Sequence, residues 1–147
     1  MKWLTGAVIV LLLLWCAPAK SEGPLRCVVQ RIADGDTFSC IAIPPLWGPY
    51  RIAHVRIAGI DTPESMAQLA KCAKELRLGK IAKAEIKRRV QPGTVVTMVW
   101  SGETEKYGRV LASVTLPDGK DWGDEMIRLG MAKRYTSANL TKSDWCK

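Results

Sequence analysis

Histidine is nearly absent from this 147-residue chain; His54 is the one copy. No Cys-x-x-Cys pair occurs either. Together these absences argue against a zinc site, which draws on closely spaced Cys and His ligands. Internal repeats and low-complexity tracts are missing, so repeat architectures are set aside. Acidic residues are few, 14 Asp and Glu against 22 Lys and Arg. The longest apolar run, Trp3 to Cys16, falls short of the ~20 residues that cross a bilayer.

That run has the features of a secretory signal. Lys2 precedes it, and the small residues Ala17-Pro18-Ala19 follow at the spacing of a signal-peptidase site. Residues 1–19 are therefore read as a signal peptide and 20–147 as one domain, large enough for one modest core. The competing reading is an uncleaved membrane anchor. A lipid on Cys16 is a third, opposed by the bulky Trp15 before it. Removing residues 1–19 takes away one Lys and no acid, leaving 21 Lys and Arg against 14 acids, a formal charge of +7. Such a surface suits a polyanion, because neutralising phosphates releases counterions. Beyond Cys16 four cysteines remain, Cys27, Cys40, Cys72 and Cys146. An even number in an exported chain predicts two disulfides, with three pairings open.

Periodicity gives the element order. Cys27–Ile32 and Thr37–Ile43 read as strands joined at the turn signal Asp34-Gly35. Pro44–Pro49 reads as a loop, and Tyr50–Ile57 as a third strand with period-2 alternation. Leu69, Cys72, Ala73, Leu76, Ile81, Ala84 and Ile86 recur at helical spacing over Gln68–Val90, and Gln91-Pro92-Gly93 ends that helix. Thr94–Trp100 and Arg109–Leu116 read as strands around the polar loop Ser101–Gly108. Trp122–Leu129 reads as a short helix stopped by Gly130. The order β-β-β-α-β-β-α predicts an α+β fold, a five-stranded OB-type β-barrel with two or three helices.

Two acidic clusters carry the candidate chemistry. Asp34-Gly35-Asp36-Thr37 lies at the hairpin turn, and Asp61-Thr62-Pro63-Glu64 follows the third strand. Pro63 fixes its own φ and pushes Thr62 towards extended geometry, which stiffens that corner. Asp36, Asp61 and a backbone carbonyl are hard oxygen donors that suit Ca²⁺ with water and phosphate oxygens. Arg56 and Arg109 offer planar, permanently charged forks that match a phosphate. A metal and two arginines would offset charge building on a phosphodiester under attack, and Glu64 could orient or deprotonate the water. Arg56 and Glu64 are both expected at a surface site. Taken singly, each cluster also reads as an ordinary turn, and each arginine as a surface ion pair.

Taken together, these segments resemble the staphylococcal nuclease family. Asp34-Gly35-Asp36-Thr37, then Arg56-Ile57-Ala58-Gly59-Ile60-Asp61-Thr62-Pro63-Glu64, then Lys106-Tyr107-Gly108-Arg109 are similar to its three signature segments, in order and at similar separations. Gly130-Met131-Ala132 is similar to a further feature, and the likeness covers about Val28 to Tyr135. The resemblance implies calcium bound by Asp36, Asp61 and the Thr62 carbonyl, with Asp34 as an acid behind the metal. It implies catalytic roles for Arg56, Glu64 and Arg109, and nucleotide contacts from Lys106, Tyr107 and Tyr135. It also implies hydrolysis of DNA or RNA to 3′-phosphate products. The signal segment predicts export, with no membrane association once it is cleaved; a monomer with no stable protein partner is the default expectation.

The chain departs from the family where its long third helix would follow, and Thr136 stands where a tyrosine is expected, with Tyr135 adjacent. A non-catalytic module binding single-stranded nucleic acid is the alternative, which the complete set Asp36, Arg56, Asp61, Glu64 and Arg109 argues against. His54 reads as a partly buried strand residue, and Lys87-Arg88-Arg89 as a solvated helix end favoured by the macrodipole. Trp100, Trp122 and Trp145 read as packing residues, with Trp47 open. Asn139-Leu140-Thr141 is a glycosylation sequon, meaningful only in a eukaryotic secretory pathway.

Overall fold

The computed structural model describes residues 23–46, 52–105, 107–135 and 144–147. The expected signal segment, Cys16, Trp47, Lys106, Thr136 and the sequon at Asn139 lie outside the described residues. Among those described, the order is β1 (Leu25–Asp34), β2 (Thr37–Ile43), β3 (Ile52–Ile57), β4 (Ile60–Asp61), α1 (Ala73–Arg89), β5 (Val95–Thr104), β6 (Val110–Thr115), α2 (Trp122–Arg128) and β7 (Lys133–Arg134).

Strands β1-β2-β3-β6-β5 close into a barrel, and β4 pairs with β7 in a separate two-stranded sheet. Only the β3–β6 contact of the barrel is parallel; the others are antiparallel. This is the expected five-stranded α+β barrel. Period-2 alternation supplies its filling: Leu25, Cys27 and Val29 of β1, Phe38 and Cys40 of β2, Val55 and Ile57 of β3, and Val110, Ala112 and Val114 of β6 are all buried. A register shift between Val29 and Arg31 adds a residue to β1, so the inward face moves on to Ile32. Trp122 stacks on Phe38 at 5.0 Å between ring centroids, a pairing worth ~0.5–1.5 kcal/mol beyond its burial. Its indole N–H donates to the Gly35 carbonyl at 2.8 Å, tying α2 to the hairpin turn.

Three expectations about local structure need correction. Helix α1 begins after Cys72, not at Gln68. Cys72 is its N-cap, Glu75 N–H donating to the sulfur, and the Glu75 carboxylate reaches back to the Lys71 N–H at 2.7 Å. Its inward stripe is Glu75, Gly79, Ala82 and Ile86 rather than the larger apolar set; Leu69 and Ile81 are half exposed. The helix approaches the chain beneath it too closely for large side chains. His54 is exposed on the outer face of β3, not partly buried, while its neighbours Ala53 and Val55 point inward.

Strand β5 also runs on through Thr104, into the segment expected as loop. The cysteines pair as Cys27–Cys40, inside the barrel, and Cys72–Cys146, which fastens the chain end to the start of α1. Two disulfides fit an oxidising compartment. Among the described residues no helix is long and apolar enough to cross a membrane.

Candidate active site

The hairpin turn, the end of β3, the β4 corner and the β5–β6 loop meet at one end of the barrel. They enclose a cleft of about 390 Å³ lined by Asp36, Arg56, Thr62, Glu64, Tyr107 and Arg109, among others. A shallow groove elsewhere, on the outward face of α1, is lined mainly by alkyl groups such as Leu76 and Ile81 and holds no acid. The chemistry-bearing groups are in the first cleft.

Asp36 occupies the turn between β1 and β2, where Gly35 is needed. A Cβ there would approach Thr62 Cγ2, Ala82 and Met126 at 3.0–3.2 Å. The Asp36 carboxylate is buried and accepts from the Thr62 N–H at 3.0 Å and the Thr37 hydroxyl at 2.9 Å. Asp61 ends β4 and is also buried.

Arg56 lies between the two acids. Its Nη1 is 3.3 Å from Asp36, its Nη2 donates to Asp61 at 3.4 Å and to the Ile60 carbonyl at 3.3 Å, and its Nε is 3.2 Å from Glu105. The residue is only 7% exposed, so the expectation that it lies at the surface is corrected. Barrel closure puts β6 beside β3 at that point, with Arg56 opposite Leu111.

Burial dominates at Asp36 and pushes its carboxyl above the ordinary carboxylate range; Arg56, the Thr62 N–H and the Thr37 hydroxyl oppose this, and Asp61 adds to it. Burial works against the charge of Arg56 too. There Asp36, Glu105 and Asp61 outweigh it and hold the guanidinium above its usual value.

Arg109 arrives by a tight loop. Gly108 adopts φ of 71°, and the Glu105 N–H donates to the Arg109 carbonyl while the Gly108 N–H donates to the Glu105 carbonyl. This folds Arg109 back on Glu105, with which it forms an ion pair. The Tyr107 ring lies 5.8 Å from the Arg109 guanidinium. Glu64 follows Pro63 on the cleft wall and is partly exposed. Ser65, next to it, donates to Asp34, joining the two acidic segments. Helix α1 backs this corner through Gly79, where a Cβ would fall 2.2 Å from the Glu64 carbonyl oxygen.

The structure thus brings together Asp36, Arg56, Asp61, Thr62, Glu64, Tyr107 and Arg109. Tyr135 lies apart, in a second cleft that shares Arg56 with the first and is also lined by Glu105, with its ring 6.0 Å from the Arg56 guanidinium. Lys106 is outside the described residues. Glu105 was not among the residues singled out from the sequence. Its one signal there is an acid four positions before Arg109, the spacing of a local ion pair.

Among the described residues no three His, Cys, Asp or Glu side chains form a metal-binding group. A cation here would therefore rest on two carboxylates, with carbonyl, water or phosphate oxygens completing its shell. Hard oxygen donors, two of them buried carboxylates, fit a hard divalent cation. Thr62, on the cleft wall, has a buried hydroxyl oxygen without a hydrogen-bond partner among the described residues.

Comparison with known proteins gives concordant results. The family model described as Staphylococcal nuclease homologue matches residues 54–145. A relative from Bacillus subtilis (strain 168), "Endonuclease YhcR", is 33% identical over 122 residues, covering 81% of this chain and 10% of that protein. An "Uncharacterized endonuclease" of Escherichia coli is 26% identical over 111 residues, covering 76% of this chain and 61% of that one. The chain thus spans less than two thirds of the length of either relative.

Proposed function

The chain belongs to the staphylococcal nuclease family, and from that premise we propose that it is a calcium-dependent nuclease hydrolysing phosphodiester bonds of DNA or RNA to 3′-phosphate ends. One observation carries this reading: Asp36, Glu64 and two guanidiniums line a single cleft, and Asp61 joins them through Arg56. That both curated relatives bear the word endonuclease supports the same class of reaction.

Asp36, Asp61 and the Thr62 carbonyl hold calcium, which when bound supplies positive charge against the developing phosphate charge. Asp34 acts behind them through Ser65, which it holds in place beside Glu64. Arg56 and Arg109 grip the non-bridging oxygens of the scissile phosphate and stabilise the charge that grows there. Glu64 takes or orients the proton of the attacking water. Tyr107 and Lys106 contact a neighbouring phosphate, and Tyr135 borders the nucleotide in the adjoining cleft. We further propose that residues 1–19 direct export and that residues 20–147 act as a monomer, its disulfides formed on the way out.

Cleavage of single-stranded DNA with CaCl₂ and with excess chelator tests the reading. Calcium-dependent products ending in 3′-phosphate are expected. Tight binding without cleavage in either condition would replace the nuclease by a binding module. Glu64→Ala should slow turnover by orders of magnitude, since Glu64 is partly exposed and its loss leaves the barrel core intact.

A further inference from the structure

The Glu105 carboxylate divides its two oxygens between the arginines of the cleft. Oε1 lies 3.2 Å from Arg56 Nε, and Oε2 pairs with Arg109 Nη2. We infer that Glu105 occupies the seat of the substrate phosphate, as an internal competitor that sets the affinity of the cleft for nucleotide phosphate. The inference rests on the proposed phosphate-binding roles of Arg56 and Arg109.

The geometry favours a competitor over a brace. A phosphodiester presents two non-bridging oxygens to a pair of guanidiniums, and a carboxylate spanning the same pair has the same form and sign. Arg56 does not need Glu105 to hold its orientation. Its Nη1 already meets Asp36, and its Nη2 meets both Asp61 and the Ile60 carbonyl. Its Nε takes no part in those contacts, and that is the nitrogen Glu105 meets.

Arg109 is in the complementary position. Its Nε is buried and has no hydrogen-bond partner among the described residues, so one edge of its fork is unfilled by the protein. Glu105 pairs with Nη2 and leaves that edge unfilled. The Glu105 side chain is 22% exposed, although its Oε2 is buried against Arg109.

The consequence is a specificity filter. A ligand must offset the loss of two ion pairs to enter, which an anion that spans both guanidiniums does better than a neutral group. Glu105 is accordingly a specificity-setting residue that acts through the two arginines, not a group in contact with the reacting atoms.

The test is binding of thymidine 5′-monophosphate in CaCl₂ by calorimetry, with KM and kcat on single-stranded DNA measured separately. Glu105→Gln removes the charge and keeps the shape. It should bind the nucleotide about three- to tenfold tighter and lower KM in parallel, the range for losing partly exposed ion pairs. A brace would give the opposite sign, with weaker binding and lower kcat. Either that result or an unchanged affinity overturns the inference, and Glu105→Ala should repeat the sign if it is sound.

A readout on the wild-type protein does not depend on variants folding. The Glu105 side-chain carboxyl ¹³C resonance should move towards that of a solvated glutamate on saturation with thymidine 5′-monophosphate, and a fixed resonance refutes displacement. A wild type that cleaves DNA while Glu105→Gln binds no tighter refutes only the competitor. A wild type that displaces Glu105 on binding yet never cleaves refutes the nuclease instead.

Discussion

Gly79→Ala is the substitution whose outcome the packing decides most sharply. Gly79 lies in the middle of α1, where general propensity favours alanine by ~1 kcal/mol. The structure predicts the reverse. A Cβ at this position would be 2.2 Å from the Glu64 carbonyl oxygen, 2.4 Å from its carbon and 2.7 Å from the Ser65 nitrogen. All three are backbone atoms, held by Pro63 on one side and by the Ser65–Asp34 contact on the other. They cannot rotate away, so α1 and the Glu64 corner must separate by roughly 1 Å to reach ordinary contact.

Overpacking of this kind costs ~1–3 kcal/mol, occasionally more. Set against the propensity gain, the net expectation is about 2 kcal/mol of destabilisation at the upper end of that range. For a domain of this size that is a fall of roughly 8 °C in Tm. Because the displaced backbone carries Glu64, activity should fall as well; a misplacement of ~1 Å can reduce a rate by ~10²-fold. Urea denaturation and DNA cleavage at a temperature where both proteins are folded measure the two effects. A variant more stable than wild type by ~1 kcal/mol, with full activity, would show that propensity governs the site and that the close approach is not real.

Other perturbations separate the remaining forces. Burial raises the Asp36 pKa, so the stability tied to its protonation is present below the unfolded value of 3.8 and declines as pH rises through the folded one. In chelator at neutral pH, Asp36→Asn should therefore melt higher than wild type, while losing the calcium-dependent gain, which for the wild type reaches ~2.7 kcal/mol at a hundredfold excess over Kd; melts with and without CaCl₂ decide it. Glu125, bonded by Arg128 and also by Arg89, has its pKa lowered from 4.5 to about 2. Its contribution is present above 4.5 and disappears as pH falls through about 2, so Glu125→Gln should flatten the acid limb of a Tm–pH profile while lowering the plateau at neutral pH. The Cys72–Cys146 bond closes a separation of 74 residues, for which chain entropy gives about 4 kcal/mol, against about 3 for the separation of 13 from Cys27 to Cys40. The double variant Cys72→Ser with Cys146→Ser should lose stability on that order in urea melts, and an unchanged midpoint would mean the chain end contributes nothing.

Much of this protein is legible without coordinates. Alternation of apolar residues marks Thr37–Ile43 and Val110–Thr115 as strands because barrel filling takes every second side chain, and Asp34-Gly35 marks the turn between the first two. The reactive residue types, two acids at one turn and an Arg before Asp-Thr-Pro-Glu, are likewise visible, since the chemistry of phosphate and calcium demands them. Local rules failed where distant segments decide. The inward stripe of α1 is small because the Glu64 backbone passes beneath it, a contact no helical period reveals. His54 has an apolar-looking strand around it, yet it is on the outer face.

Sequence by itself determined the five barrel strands, the two helices, their order and the kinds of group available, because those depend on spacing within a few residues; the β4–β7 sheet it did not show. Tertiary structure alone decided which groups meet. Closure of β3 against β6 buries Arg56 among Asp36, Asp61 and Glu105, residues up to 69 positions apart. The β1–β2 hairpin brings Cys27 to Cys40, and the path of the chain brings Cys146 to Cys72, while the β5–β6 loop gives Glu105 its place between two arginines. Coulomb and hydrogen-bond energies act over a few ångströms, and only the folded barrel sets those distances.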